Sequence, residues 1–389
     1  MLPIIETIPI VQLASGDRLF IQVYKFIGKN PGPKAYIQSN LHGAEIAGNA
    51  VIHQLIEFLQ GVDARQITGE IWLVPVCNPL GINQRSQHFS SGRYHSYDGQ
   101  DWNRIFWDYE KEATDISQFA ESQVNLSLEE IEDNYREIIL KQFHQIPKDI
   151  NAASGVPFVE QYRYQLQSLS LDANYVIDCH SSTNQGLDYL YCFSSREESA
   201  KAFLLDYAIL MNEYDGDAFD EAGMKPWLAL ENSLAKQGKP IQFDVESWTL
   251  ELGTGMQMNP QSVAKGVRGI QNYLAQKGML DIPEFPLPET ESHSVVFILK
   301  DRIRKYYATA GGMIQNRLPL GTLVQKGDRL YQLLSFDKTG ELPKIIDVPA
   351  VEPGLIFDVG TNYSANQGDY VLSIFQGEPE KFAKINPNI

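Results

Sequence analysis

Apolar and polar positions follow two different periods through about residue 280. Short apolar runs that end in turn residues predict β-strands at "KAYIQSN" (34–40), "EIWLVPVCNP" (70–79), "NYVIDCHSS" (174–182) and "ESWTLELGTG" (246–255). The 3.6-residue period of amphipathic helices occurs in "GNAVIHQLIEFLQ" (48–60) and "SVAKGVRGIQNYLAQKG" (262–278). This alternation of strands and helices predicts an α/β domain built on a largely buried sheet.

An acidic segment interrupts the alternation between residues 107 and 149. It has 11 Asp or Glu and 4 Lys or Arg, so its formal charge is 4 − 11 = −7. Ser127 and Glu130 form the pattern of a capping box, and Leu126 and Ile131 occupy the positions of a hydrophobic staple. We therefore expect a solvated helical insertion; a mobile lid over the functional site is the alternative.

After "PLPET" (286–290) the sequence changes to short strands and glycine turns. Two segments resemble each other, one from Gly311 and one from Pro353, and they contain the turn pairs Gly327-Asp328 and Gly368-Asp369. This internal similarity predicts a small non-catalytic all-β barrel or sandwich domain over 286–389, after an α/β domain over 1–285.

Composition and charge narrow the class of protein. The 389 residues are 43% hydrophobic and 21% charged, as in ordinary globular proteins, and the formal charge of −17 argues against a nucleic-acid partner. Three cysteines without a CxxC pair make disulfides and a cysteine zinc site improbable. Because neither a signal-peptide pattern nor an apolar run long enough for a bilayer occurs, we expect a cytoplasmic protein without membrane association.

Candidate metal ligands lie where predicted strands end. His42 and Glu45 share one loop between a strand and a helix, and His180 ends the strand "YVIDCH". Two histidines and one glutamate form a common zinc site in hydrolases. Asp178 lies on the same strand face as His180 and is placed to support it. An HxxE pair alone also fits a capped helix start, so the pattern gains weight only from the rest of the chain.

Two further motifs carry candidate chemistry. "RYHSYDGQDWNRIF" (93–106) supplies arginines suited to binding a carboxylate through two parallel hydrogen bonds. Glu251 stands in the apolar strand "TLELGTG", where a partly buried carboxylate is a plausible general base; an ion-paired residue at a strand end is the alternative.

In this order, the motifs "HGAE" (42–45), "DGQDWNR" (98–104), "DCH" (178–180) and "ELG" (251–253) resemble the succinylglutamate desuccinylase/aspartoacylase family, relatives of the M14 zinc carboxypeptidases. The resemblance spans most of the chain and implies a zinc-carboxypeptidase-like domain with a mixed, mostly parallel sheet flanked by helices. It implies that His42, Glu45 and His180 bind one Zn²⁺ and that Glu251 is the general base. Asn103 and Arg104 would bind the substrate's carboxylate.

The same resemblance implies an arginine that polarises the scissile carbonyl. Arg93 fits best by its spacing from Asn103, and Arg85 in "NQRSQHF" is the alternative. The implied activity is zinc-dependent hydrolysis of the amide bond of a small-molecule N-acyl amino acid. A carboxypeptidase for small peptides and a catalytically silent zinc-scaffold binding protein are the alternatives. The substrate's acyl group and the oligomeric state, including a homo-oligomer, stay open.

Overall fold

The computed structural model describes residues 1–112, 115–146, 150, 152–212 and 217–383. A large mixed sheet of nine strands dominates it. In chain order these strands are β1 (Ile4–Gln12), β2 (Arg18–Ile27), β3 (Asn30–Ser39), β4 (Thr68–Val74), β5 (Tyr175–Ser182), β7 (Asp188–Phe193), β8 (Tyr207–Met211), β9 (Glu246–Thr254) and β10 (Val296–Leu299), while β6 (Gln185–Gly186) pairs elsewhere.

The spatial order of the large sheet is β1-β2-β4-β3-β5-β9-β7-β8-β10. Strands β4, β3, β5 and β9 run parallel to one another, as do β7, β8 and β10. The pairs β1–β2, β2–β4 and β7–β9 are antiparallel. All four strands predicted from apolar runs form neighbouring elements of this sheet, so the prediction of a mixed, mostly parallel α/β sheet is confirmed.

Helices cover both faces of the sheet. They are α1 (Ala47–Gly61), α2 (Pro79–Asn83), α3 (Tyr109–Glu112), α4 (Ile116–Gln123), α5 (Leu128–Phe143), α6 (Phe158–Gln167), α7 (Glu197–Ala200), α8 (Phe219–Lys236), α9 (Pro260–Gln276) and α10 (Pro379–Ala383). Short 3₁₀ turns lie at Ala64–Gln66, Lys201–Phe203, Pro288–Thr290 and Lys300–Arg302. Both helices predicted from the 3.6-residue period, α1 and α9, are confirmed.

Alternate residues of β5 point into different layers, which fixes the face that carries the site. Ile177 and Cys179 pack in the core that α1 and α9 cover. Val176 packs on the opposite face, with residues of α6 and the start of α8. Since side chains two apart share a strand face, Asp178 and His180 lie on the same face as Val176.

The described part of the acidic insertion folds as helices that pack against helix α8. Ser127 and Glu130 make the predicted capping box at the start of α5. Tyr135 and Phe143 of α5 are buried in one apolar cluster with Trp227 of α8. The insertion is therefore a packed helical layer with an acidic outer face. Its movement as a lid stays a prediction.

Residues 303–376 form two antiparallel sheets. Their strands are β11 (Ile303–Tyr307), β12 (Gly312–Gln315), β13 (Leu323–Val324), β14 (Arg329–Ser335), β15 (Lys344–Pro349), β16 (Gly354–Val359), β17 (Ser364–Ala365) and β18 (Tyr370–Gln376). One sheet has the order β11-β18-β16-β13, with β6 paired to β16, and the other has the order β15-β14-β12-β17.

The two predicted glycine turns have the backbone that their sequence demands. Gly327 and Gly368 have φ angles of +94° and +90°, a region that residues with a side chain rarely adopt.

Although β10 follows the predicted domain boundary at 285/286, it belongs to the large sheet. The boundary and the barrel or sandwich form of the C-terminal domain stay predictions. Among the described residues, none of the helices combines the length and apolar character that a bilayer crossing requires.

Candidate metal centre

The structure brings the three predicted metal ligands together. Ligand atoms of His42, Glu45 and His180 all lie within 4.8 Å of one another. The three side chains come from the loop after β3 and from the end of β5, and all are buried. Neighbouring parallel strands deliver them to the same edge of the sheet, as the sequence predicted.

The loop that carries His42 and Glu45 is held by close backbone contacts. Asn40 turns the chain with a φ of 69°, and its amide donates to the carbonyl of His42 at 3.1 Å. The N–H of Gly43 donates to the carbonyl of Gly92 at 3.0 Å. A Cβ atom at Gly43 would lie 2.1 Å from the carbonyl oxygen of Gly81, so only glycine fits there.

Each histidine turns one ring nitrogen toward Glu45 and the other toward a supporting carboxylate. His42 Nδ1 lies 2.9 Å from Glu45, and His180 Nδ1 lies 2.7 Å from it. His42 Nε2 lies 3.0 Å from Asp101, and His180 Nε2 lies 2.8 Å from Asp178. Metal-binding histidines are commonly oriented by a carboxylate in this way. The predicted contact of Asp178 is confirmed, whereas the contact of Asp101 was missed.

Electrostatic coupling keeps the central glutamate ionised. Burial alone would raise the pKa of Glu45, but His42 and His180 outweigh burial and hold that pKa well below its usual range. Burial would likewise lower the pKa of His180, but Asp178 and Glu45 raise it well above its usual value. The Glu45 carboxylate is therefore anionic at neutral pH.

Glu251 stands opposite His180 in the parallel register of β5 and β9. Its Oε2 atom is buried and has no hydrogen-bond partner among the described residues. Burial, together with repulsion from Glu45, raises the pKa of Glu251 to about 7. A carboxyl group in this state can exchange a proton near neutral pH.

A cavity of about 1000 Å³ opens above the cluster. Its wall contains the predicted residues Arg93, Asn103, Arg104 and Glu251. Of the four tyrosines around these motifs, Tyr94, Tyr189 and Tyr191 line the cavity, whereas Tyr97 does not. Residues beyond 300 form another wall, among them Ile303, Lys305, Tyr307, Phe357 and Asp358.

Arg93 reaches the candidate metal ligands. Its Nε donates to Asp101 at 2.9 Å. Its Nη1 lies 3.4 Å from Nδ1 of His42 and 3.7 Å from Glu45. Asp101 thus holds the guanidinium group beside the cluster, and the same carboxylate supports His42.

Arg85 is placed differently. Its exposed guanidinium donates to the backbone carbonyls of Ile82 in α2 and of Gln84, at 2.5 and 2.7 Å. It is not part of the cavity wall. The structure therefore does not bring Arg85 to the site, and of the two candidate arginines only Arg93 contacts the cluster.

Asn103 contacts the first residue of helix α8, and Arg104 follows Asn103 in the chain. Asn103 Oδ1 accepts a hydrogen bond from the backbone N–H of Phe219 at 2.8 Å. Arg104 Nη1 donates to the carbonyl of Asn103 at 2.5 Å and is exposed in the cavity. Trp102, next to Asn103 in the same motif, is fully buried, with its ring centroid 5.2 Å from that of Tyr162. The buried tryptophan anchors the segment that carries both polar residues.

The segment after β5 joins the cluster to the C-terminal sheets and had no signal in the sequence. Thr183 donates to Oε1 of Glu45 at 3.0 Å. Ser182 and Asn184 both donate to Asp358 of β16. Residues 182–184 are therefore held on one side by a candidate ligand and on the other by the small sheet.

Similarity to known proteins assigns the chain to a family. Residues 31–144 match the model of the succinylglutamate desuccinylase/aspartoacylase catalytic domain. A solved structure of a protein of this family from Shewanella amazonensis SB2B is 30% identical, with 96% of this chain and 98% of that chain covered and a TM-score of 0.83. The chain belongs to the succinylglutamate desuccinylase/aspartoacylase family.

Other family proteins resemble it along the same length. A structure from Shewanella frigidimarina NCIMB 400, described under the same family name, is 27% identical over 97% of this chain and 98% of that one, with a TM-score of 0.86. The N-alpha-acetyl-L-2,4-diaminobutyric acid deacetylase of Halomonas elongata is 23% identical over 351 residues, which are 90% of this chain and 83% of that protein. The family resemblance inferred from four short motifs is therefore confirmed.

Proposed function

We propose that the protein is a zinc-dependent amidohydrolase that cleaves the amide bond of an N-acyl amino acid. The observation that carries the proposal is the cluster of His42, Glu45 and His180 on the floor of a large cavity, with Glu251 beside it. The deacetylase activity named for the Halomonas elongata relative supports the reaction class.

The residues present fit one zinc ion. Two imidazoles and one carboxylate are a donor set that catalytic zinc commonly has, and the cavity that these residues line gives water or substrate access to them. Asp101 and Asp178 orient the two imidazoles. A bound Zn²⁺ would supply Lewis acidity, which makes water a stronger nucleophile and polarises a carbonyl group.

Glu251 would move the protons of the reaction. Its unpaired, buried oxygen faces the cavity, so it can take a proton from the attacking water. The same group would then give that proton to the leaving nitrogen, because an amide nitrogen leaves poorly without one. The pKa of about 7 suits a group that must accept and release a proton in one cycle.

Arg93, Asn103 and Arg104 would bind and polarise the substrate. Arg93 is already anchored by Asp101 beside the cluster, so it can stabilise the oxyanion that forms from the scissile carbonyl. Asn103 uses its side-chain oxygen at Phe219, which leaves its amide N–H groups to donate to a carboxylate. Arg104, exposed in the cavity, adds a planar pair of donors for the same carboxylate.

Amine release from N-acyl amino acids and from N-blocked dipeptides, with added zinc and with chelator, tests the proposal. We expect zinc-dependent cleavage that is confined to the acyl amino acids. Preferential removal of the C-terminal residue from the dipeptides would move the assignment to a carboxypeptidase. Zinc binding without cleavage of a broad panel of acyl amino acids and dipeptides would contradict the hydrolase and favour the silent zinc scaffold.

A further inference from the structure

Asp220 is a buried acidic residue in the cavity that the proposed reaction does not use. It is the second residue of α8, is 5% exposed and lines the cavity. The hydroxyl of Thr249 donates to its carboxylate. Thr249 and Glu251 are two apart on β9 and share a strand face. The carboxylate of Asp220 is therefore on the face that carries the reaction.

Asp220 lies near the residues that are proposed to bind the amino-acid part of the substrate. The N–H of the preceding residue, Phe219, is bound by Asn103. Burial raises the pKa of Tyr191, Asp220 raises it further and Arg104 lowers it, so both charged residues lie in the surroundings of this phenol. Since Asn103 and Arg104 are the proposed carboxylate-binding groups, Asp220 faces the amino acid that is released.

Unlike the buried carboxylates Asp108 and Glu246, Asp220 has no ion pair with a cationic residue in the described parts of the chain. Asp108 forms an ion pair with Lys225 at 2.8 Å, and Glu246 forms one with Lys277 at 2.8 Å. Over the described ranges of the chain, no Lys, Arg or His forms an ion pair with Asp220. Burying an unpaired carboxylate is unfavourable, so a cation supplied by the substrate would complete this site.

The helix dipole favours acidic residues in the first turn of α8, but it does not require them to be buried in the cavity. Asp220 bonds to Thr249 on another element, and Glu221 beside it adds repulsion. Asp220 is therefore buried against β9 at the cavity wall, where a ligand in the cavity can contact its carboxylate.

We propose that Asp220 binds an ammonium group on the side chain of the released amino acid, so that the substrate is an N-acyl derivative of a diamino acid. This inference rests on the proposed deacylase function. Asp220 is then a specificity residue: its carboxylate accepts hydrogen bonds from the ammonium group, while Arg104 binds the carboxylate of the same amino acid.

Paired substrates of equal size test this inference. N-α-acetyl-L-ornithine is compared with N-α-acetyl-L-norleucine, and N-α-acetyl-L-2,4-diaminobutyrate with N-α-acetyl-L-norvaline. We expect the wild-type, zinc-loaded protein to prefer the cationic member of at least one pair. In Asp220→Asn the ratio of kcat/KM values for that pair should fall by about 10- to 100-fold, the range for losing a charged hydrogen bond.

Asp217→Asn is the matched control. Asp217 lies just before α8, pairs with Lys111 at the surface and does not line the cavity. The control variant should keep the wild-type ratio. Calorimetric binding of L-ornithine and L-norleucine gives a second readout without turnover, and Asp220→Asn should weaken only the binding of L-ornithine.

Two outcomes would overturn the inference and leave the proposed function intact. One is good turnover of neutral or acidic acetyl amino acids with poor turnover of both cationic ones. Another is an equal loss of kcat/KM for both members of a pair in Asp220→Asn. If no acyl amino acid is cleaved, the proposed function fails, and the binding comparison alone then decides whether Asp220 selects a cation.

Discussion

Replacing Asp220 with asparagine should make the folded protein more stable at neutral pH. Burial, with repulsion from Glu221, raises the pKa of Asp220 to about 6. In an unfolded chain the pKa of an aspartate is about 4. A pKa difference of about 2 between the folded and unfolded states corresponds to about 3 kcal/mol of folding free energy. Asparagine keeps the oxygen that accepts from Thr249 and removes the charge, so most of this penalty should disappear.

The direction of the pH dependence follows from the raised pKa. The folded state binds the Asp220 proton more tightly than the unfolded state does. In the wild type, the stabilisation that Asp220 contributes is therefore complete below about pH 4. It is lost as the pH rises from about 4 to about 6. Asparagine does not titrate. The stability advantage of Asp220→Asn should be near zero at about pH 4, grow between pH 4 and 6, and stay constant above.

Urea unfolding of the metal-free proteins between pH 4.5 and 8, followed by circular dichroism, measures this advantage. The charged neighbours of Asp220, which include Glu221, Asp178 and His180, are the same in both proteins, so the difference isolates one carboxyl group. Asp217→Asn, at an exposed ion pair, should change the unfolding midpoint little. An Asp220→Asn variant that is less stable than the wild type, or equally stable at every pH, would refute this reasoning.

Three further substitutions test the proposed roles. Glu251→Gln should retain zinc, measured by metal analysis, and lose about 10²- to 10⁴-fold in kcat; full activity in the zinc-loaded variant would refute the assignment as base. His180→Ala should lose the metal, and normal zinc content would remove His180 from the ligand set. Arg93→Ala should lower kcat by about 10²- to 10³-fold with zinc retained. Arg85→Ala serves as its control, because Arg85 lies outside the cavity wall; equal losses in both variants would contradict the assignment of Arg93.

Local patterns predicted the parts of this protein that depend on neighbours in sequence. Strands β5 and β9 follow from apolar runs, and helix α5 follows from the Ser127–Glu130 capping box. His42 and Glu45 come together because they are only three positions apart, in one loop that contains Gly43. The sequence also placed His180 at a strand end, where parallel strands deliver their polar residues to one edge of the sheet.

Contacts between distant segments could not be predicted in this way. Thr183 supports Glu45 across 138 positions of the chain, and Asp358 holds Ser182 across 176. No periodicity or motif links such pairs; only the folded sheet order brings them together. Asp101 is an intermediate case, because its motif was recognised for Asn103 and Arg104, while its own role depends on a histidine 59 positions away.

The attachment of residues 182–184 limits how freely the protein's parts can be exchanged. Asp358 of the small sheet holds Ser182, and Thr183 next to it bonds to Glu45. A chimera that takes its C-terminal sheets from a relative would thus change the cavity wall and the support of Glu45 together. We therefore expect substrate range and metal affinity to change together. A shortened chain ending before β11 would keep all three candidate ligands but lose Asp358, which anchors the segment beside them.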